Sequence, residues 1–512
     1  MKKKIISILL MASMGLMLMT GCSNNTSKTE ADNAGKTETG NSGEMKATTA
    51  PAEEDIPNIV VGFSYLEVPT DLAKVEAAIN EITKEKIGCT VTLNAYTYGT
   101  VSQQTQLALS TPTEQLDALM TRLYGVGIGG FVSKGQLNPL DDLLEQYGQG
   151  IVDAVGSDVL DSNRVNGTLY SITPTGEGAS QYCLMVRKDI LDAVGYGDVT
   201  QVNDYSELTD VFDAIKKTYP DLYTVASGAV QSPYTINLPL NIDRLGDKLG
   251  VLEDINEPTV SNYYRSDAYK QICKLGREWN EAGYVYPDIL TDTSNSGVAL
   301  MKQGLMASYF TVYKPGAESE AKVSTGHEVT AIKIGDAQAI AGLSWQWTIP
   351  TNSVYPDKAM QFLNLLYTDA DLVNLISFGI EGDHYKLDEN GQVVSSDNTA
   401  GYADQKQWET GNYFLAHTFA TQPIDLHDQM KAWNASAKKS IACGFSFDST
   451  EVSAEYTAIQ SVISEYDTAL QWGFVKDIDS KIEEFNKALH DAGLQKYMDA
   501  KQQALNEWLE AK

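Results

Sequence analysis

The feature that most constrains this chain is an alternation of two hydrophobic periods between residues 59 and 120. Ile59 to Tyr65 (IVVGFSY) is a continuous apolar run rich in β-formers and reads as a buried strand. Pro69-Thr70-Asp71 then starts a helix, with Thr70 as candidate N-cap. Leu72, Val75, Ile79 and Ile82 follow at spacings of 3, 4 and 3, which is one helical face. Val91 to Tyr98 reads as a second strand, and Leu116 to Met120 as a third after another helical stretch. Strands alternating with helices predict βαβ units and a mostly parallel sheet. Ligands of such sheets sit at the carboxyl ends of the strands. Tyr65, Glu67 and Tyr124 follow the first and third strands and are candidate ligand contacts.

A chain of 512 residues exceeds what one hydrophobic core supports, so two or more lobes are expected. An apolar content of 43%, with 27 tyrosines, argues for a folded body. Leu169 to Thr173 and Tyr182 to Arg187 read as strands flanking Pro174-Thr175-Gly176-Glu177-Gly178, the expected first passage between lobes. A helix over Tyr205 to Lys217, a strand over Tyr223 to Ser227 and a helix over Asp267 to Ala282 continue a second βα series. Val298 to Phe310 is expected to return to the first lobe, and Ala339 to Pro350 to cross back. The expected division is 57–173 with 298–340 as the N-terminal lobe, and 174–297 with 341–512 as the C-terminal lobe. Asp357 to Tyr367 and Ala370 to Phe378 read as helices. The chain ends helically: Ile478, Ile482, Phe485 and Leu489 form one stripe, and Leu494, Met498, Leu505 and Trp508 another beyond Gly493. Lys501 falls on that second stripe, with its stem expected along the face and its charge in water.

At the N-terminus, Lys2, Lys3 and Lys4 precede an uncharged apolar run from Ile5 to Met19. That is the layout of a secretory signal, too short for a membrane span. The run ends on Leu16-Met17-Leu18-Met19-Thr20-Gly21-Cys22 and turns abruptly polar. It resembles the lipobox of bacterial lipoproteins, whose cysteine is acylated and becomes the mature N-terminus. Met19 stands where those proteins usually have Leu. The resemblance implies a signal peptide over 1–21, lipidation at Cys22 and a position on the extracellular face of the cell membrane. The alternative is an ordinary secretory signal with an incidental cysteine. Ser23 to about Asp55 has almost no large apolar residue and is expected to be a disordered tether spanning roughly 30 Å.

The net charge of −30 argues against nucleic acid as a partner, and against membrane contact other than through the anchor. Cys89, Cys183, Cys273 and Cys443 are scattered, with no CxxC pair, which argues against a zinc knuckle or redox motif. They read as small buried residues, with two disulfides as the alternative. None of the five histidines sits in HExxH or a Cys/His cluster, and there is no GxSxG elbow. No metal and no cofactor are expected. Gly125-Val126-Gly127-Ile128-Gly129-Gly130 fits the dinucleotide pattern GxGxxG, but Gly135 would cut the following helix short and no acidic residue ends a second strand about 20 residues on. It reads as a glycine-rich bend at the edge of a cleft. Asp388-Glu389-Asn390-Gly391 lacks the spaced ligands of a calcium loop and reads as a turn. Carboxylates are plentiful, so a surface-anchored glycoside hydrolase is one alternative, yet no acid/base pair stands out.

Trp345-Gln346-Trp347 is the strongest binding signal. In a strand, 345 and 347 face the same side, so two indoles form one platform suited to the apolar face of a sugar ring. Core or hinge packing is the competing reading. Tyr65, Tyr124, Tyr182, Tyr234 and Tyr309 are weaker aromatic candidates.

Lipobox, polar tether, α/β lobes and helical C-terminus together resemble the family 1 extracellular solute-binding lipoproteins of ABC transporters. Three stretches carry the resemblance: Pro356 to Tyr367, Phe378-Gly379-Ile380-Glu381-Gly382-Asp383-His384-Tyr385, and Gly444-Phe445-Ser446-Phe447-Asp448. The second resembles a signature of the family, and the last is similar to a C-terminal stretch of the subgroup that includes the LplA-like lipoproteins. The resemblance implies an α/β, type II periplasmic-binding fold, with two lobes, a hinge, an interlobe ligand cleft and a helical C-terminus. It also implies a monomer that binds a carbohydrate without altering it and delivers it to the transmembrane subunits of an ABC permease. Glu381 and His384 are further candidate ligand contacts from this stretch, with a structural role as the alternative. A binding or sensing lipoprotein for a peptide or other solute is the remaining reading.

Overall fold

The computed structural model describes residues 56–511, apart from 66, 98–99, 112, 123–127, 230–240, 341–344 and 404–405. Cys22 and the tether expected before Asp55 lie outside the described residues, as do Tyr124 and Tyr234.

Two sheets organise the chain, each over its own core. In the first, strand Asn58–Tyr65 is central and parallel to Thr90–Thr97 and to Ala118–Arg122. A fourth strand, Trp345–Thr348, runs antiparallel to Ala118–Arg122. Ile59, Val61, Phe63, Val91, Ala118 and Met120 bury their side chains beneath helices Leu72–Ile87 and Pro356–Thr368. Val75 and Ile79 carry the buried face of the first helix, as their spacing requires. Each fully buried side chain of this kind contributes about 1.5–3 kcal/mol. Asp71, not Thr70, precedes that helix as its N-cap, and its carboxylate is engaged elsewhere.

The second sheet is built on Ser180–Arg187, flanked antiparallel by Ser308–Tyr313 and Val329–Ala339. Gln201–Val202 and Lys438–Lys439 add short parallel pairings to the latter. Its core gathers Leu184, Val186, Phe212, Trp279, Phe310 and Ile332. The expected strand over Tyr223 to Ser227 reduces to isolated bridges with Met306, Val285 and Phe310.

Strand pairing corrects the expected division of the later chain. The return expected at 298–340 does not occur: Ser308–Tyr313 and Val329–Ala339 stay in the second sheet. The chain crosses to the first sheet between Ala339 and Trp345, and helices Pro356–Thr368 and Ala370–Phe378 pack on the first core. Pairing partners lie up to about 230 residues apart in sequence, beyond the reach of local pattern.

The terminal helices Ser453–Gln471, Ile478–Asp491 and Leu494–Ala511 form a further core with residues 242–273. Lys501 is fully buried there, against the expectation of a solvated charge. Its ammonium is 2.5 Å from Asp247 Oδ1, and Tyr497 donates to Asp247 Oδ2 at 2.7 Å. Cys89, Cys183 and Cys273 are buried free thiols. Among the described residues no helix is long and apolar enough to cross a membrane.

Candidate functional site

The three parallel strands end together at Tyr65, Thr97 and Arg122. The antiparallel fourth strand begins at that same edge, with Trp345 in register with Arg122. This edge is therefore where side chains can meet a ligand.

A short segment covers it. Lys406 and Glu409 are both fully buried and pair at 3.0 Å. The Lys406 ammonium donates to the Ser64 carbonyl and stands 4.0 Å from the centroid of the Tyr65 ring. Trp347 Nε1 donates to the Thr410 carbonyl at 2.8 Å. These contacts fix the one-turn helix Gln407–Thr410 against the sheet. The helix in turn presents Trp408, half-buried, edge-on to Trp345, with ring centroids 5.6 Å apart and planes at 71°. Two indoles thus meet at the carboxyl edge, but the pair is Trp345 with Trp408.

Trp347 is fully buried, edge-on to Phe63 at 4.9 Å, and Trp345 is buried in the same core with 7% of its surface exposed, so the expected two-indole platform of 345 and 347 is corrected to two core indoles, of which Trp345 lies at the strand's edge. The intervening Gln346 faces the other way into a buried network. Its Oε1 accepts from Ser171 Oγ at 2.8 Å and its Nε2 donates to Asn163 Oδ1 at 2.9 Å. Tyr65 is fully buried under Lys406, and Glu67 is exposed two residues beyond it. Tyr182 and Tyr309 lie buried in the second core, away from this edge, and burial pushes the Tyr309 hydroxyl pKa up.

Glu381 is exposed. His384 is buried and holds a bracket at the start of helix Leu72–Ile87. Its Nδ1 accepts from the Ile380 N–H at 2.8 Å, so a neutral ring carries its proton on Nε2. Nε2 lies 3.2 Å from Asp71 Oδ2 and 3.3 Å from Asp383 Oδ2. Asn398 donates to both carboxylates, and Lys74 pairs with Asp383. Asn398, then His384, holds the Asp71 carboxyl below its ordinary pKa; Lys74, then Asn398, does so for Asp383. These three residues are spaced closely enough for a metal ion. With both ring nitrogens and both carboxylates engaged, the cluster is a structural bracket.

Sequence reasoning missed Lys406, Trp408 and Glu409. The available signal was Lys406 and Glu409 three residues apart with an indole between them, which matters only once Tyr65 is known to lie beneath.

Comparison with known proteins bears on this geometry. The model described as bacterial extracellular solute-binding protein matches residues 68–372. The chain belongs to that family. A second model, described as a domain of unknown function (DUF3502), matches residues 441–510. A carbohydrate ABC transporter substrate-binding protein of Streptococcus pneumoniae is 26% identical over 461 residues, covering 87% of this chain and 89% of the relative. The crystal structure of the N-glycan transport solute-binding protein NgtS from the same organism is 24% identical, with a TM-score of 0.75 over 89% of this chain and 99% of that one. Its complex with Man1GlcNAc superposes with a TM-score of 0.68 over 89% of this chain and 100% of that one. An HMO-binding solute-binding protein from Bifidobacterium longum infantis is 16% identical, with a TM-score of 0.61 over 88% of this chain and 99% of that one. The fold of this solute-binding protein is the type II periplasmic-binding fold, and its role is binding rather than catalysis.

Proposed function

We propose that this solute-binding protein is the receptor of an ABC importer for an oligosaccharide, held outside the cell by a lipid on Cys22. The observation that carries the reading is the indole pair Trp345–Trp408 at the carboxyl edge of the first sheet. Sugars present apolar C–H faces ringed by hydroxyls, and an indole with nearby amides and carboxylates matches both. The carbohydrate relative matched along nearly the whole chain, and the glycan complexes of the NgtS fold, support the same ligand class. Strand pairing supports a first lobe formed by about 58–173 with 345–420, and a second by about 180–339 with 438–511. Tyr65, Glu67, Trp345 and Trp408 belong to the first lobe's side of the cleft. Solute bridging both lobes favours the closed form, which the permease then recognises.

The test is thermal unfolding of the chain from residue 23 onward against mannose-containing oligosaccharides and against short peptides. Saturation at about 100 times Kd adds about 2.7 kcal/mol to the native state, a clear rise in Tm. Stabilisation by an oligosaccharide and none by peptides is expected; the reverse overturns the carbohydrate assignment. For the anchor, Cys22→Ser in the full precursor is expected to release the protein from the membrane fraction.

A further inference from the structure

The segment matching a domain of unknown function begins with the one motif that the binding reading leaves unexplained, Gly444-Phe445-Ser446-Phe447-Asp448. Its two phenylalanines point into the second body. Phe445 is buried with Leu245, Leu252 and Leu505, and Phe447 stands edge-on to Tyr497 at 5.3 Å. Backbone bonds fasten the approach to the same body: Ser440 N–H to the Ala339 carbonyl and Ile441 N–H to the Ile255 carbonyl, both 2.9 Å. The flanking residues face the other way. Gly444 lies at φ +93°, and a Cβ placed on it would overlap Ser162, which closes the helix Ser157–Asp161 of the first body. A Cβ placed on Gly129 would stand 3.0 Å from Asp448 Cβ. Gly129 lies in helix Ile128–Ser133, the first helix after strand Ala118–Arg122 of the first sheet. Asp448 is itself held in place, its Oδ1 accepting from Thr450 N at 2.9 Å and from Thr450 Oγ1 at 2.6 Å.

We propose that the loop Cys443–Asp448 is an interlobe latch, and that the 441–510 segment serves to seat it. The terminal helices bind the loop to the second lobe through Phe445 and Phe447. The loop then meets the first lobe at two points, Ser162 and Gly129, where only small residues leave room. The chain passes between the lobes at 174–179, between Ala339 and Trp345, and again at about 421–437, a few residues before this loop; none of the contact's residues pairs in either sheet, so it can form or break without altering either sheet. It biases the angle between the lobes, and with it the cost of opening the cleft. The inference rests on the two-lobed clamp reading, but its test needs no solute.

Hydrogen exchange of the solute-free protein provides that test. Gly444→Val forbids both the positive φ and the close approach to Ser162. Amides of 158–162 and 128–131 are expected to exchange about tenfold faster together with 443–448, while 453–511 keeps its protection. Ser162→Trp attacks the same contact from the first lobe and is expected to release 443–448 with the same pattern. Unchanged exchange at 158–162 in Gly444→Val, or at 443–448 in Ser162→Trp, overturns the latch. So does loss of protection across 453–511 in both variants, since the loop would then be inseparable from the folding of its own lobe. Absence of oligosaccharide binding by the unsubstituted protein, with this exchange pattern intact, would refute the carbohydrate reading and leave the latch standing.

Discussion

Among the described residues two lysines, Lys406 and Lys501, are fully buried, and they do different things. Lys406 sits at the carboxyl edge of the first sheet, against a carboxylate that is itself fully buried. Lys501 lies between the terminal helices and the 242–250 turn, against Asp247, whose side chain keeps about a fifth of its surface in water. Asp247 has further support: it accepts from Tyr497 OH at 2.7 Å and from the Leu249 N–H at 2.6 Å. Burial drives the Lys501 pKa down while Asp247 opposes that shift. The Lys501 pair braces packing within one lobe. The Lys406 pair clamps a one-turn helix whose half-buried indole, Trp408, meets Trp345 at the carboxyl edge. Similar chemistry thus braces packing within a lobe in one place and, on the proposed reading, presents an indole to the cleft in the other.

Removing each cation separates the two. Lys406→Met removes the cation beside a fully buried carboxylate and is expected to cost about 3–5 kcal/mol in denaturant unfolding. The double variant Lys406→Met/Glu409→Leu should recover most of that stability, because replacing a buried pair with apolar groups is close to neutral. If it also recovers oligosaccharide affinity, the clamp is not needed to present Trp408, and the contrast fails. Lys501→Met should cost less, about 1–3 kcal/mol, since Asp247 keeps two hydrogen bonds and some water. Its oligosaccharide affinity should match wild type under conditions where both are folded.

The difference also explains what the sequence made legible. Helix Leu72–Ile87 and strand Asn58–Tyr65 follow from their periods, because packing on one face imposes that period directly. The pairing of 345 with 347 on one side of a strand was equally readable. Which side that was depended on a helix whose Thr410, 63 residues later, takes the Trp347 N–H. Lys501 interrupted an apolar stripe, which is a burial signal, yet a lysine read alone belongs in water. The return assigned to 298–340 failed for the same reason: Ser308–Tyr313 suits either sheet, and only its pairing with Ser180–Arg187 decides. His384 was a reasonable ligand candidate by residue type, but its ring is spent on Ile380, Asp71 and Asp383.

Smaller effects sharpen the contrast at the edge itself. Trp408→Ala removes a half-buried ring and leaves Lys406, Glu409 and Trp347 in place. It should change unfolding free energy little, while titration calorimetry with a bound oligosaccharide loses about 1–2 kcal/mol, roughly 5- to 30-fold in Kd. Trp347→Ala should do the opposite, costing about 3–5 kcal/mol of stability as a core truncation. If the two swap, the indole facing the solute is Trp347, and the edge has been read backwards.

The smallest expected effect is a pH dependence at the bracket on helix Leu72–Ile87. Asp71 and Asp383 have carboxyl pKa values held below the ordinary range by Asn398, His384 and Lys74. A carboxyl depressed in the native state binds fewer protons than in the unfolded chain, so its contribution is present above a pKa of about 3.9 and is lost as pH falls through the folded value. Asp71→Asn should therefore lower Tm at pH 7, with the gap from wild type closing as the pH approaches 3. Lys74, Asp383, His384 and Asn398 all face the substituted group, so the comparison is made in an Asp383→Asn background as well. There Lys74 has lost its partner, and what remains of the gap reports the His384–Asp71 contact. A gap that stays constant from pH 7 to 3 in both backgrounds would mean that the Asp71 charge contributes nothing and the bracket acts by shape alone.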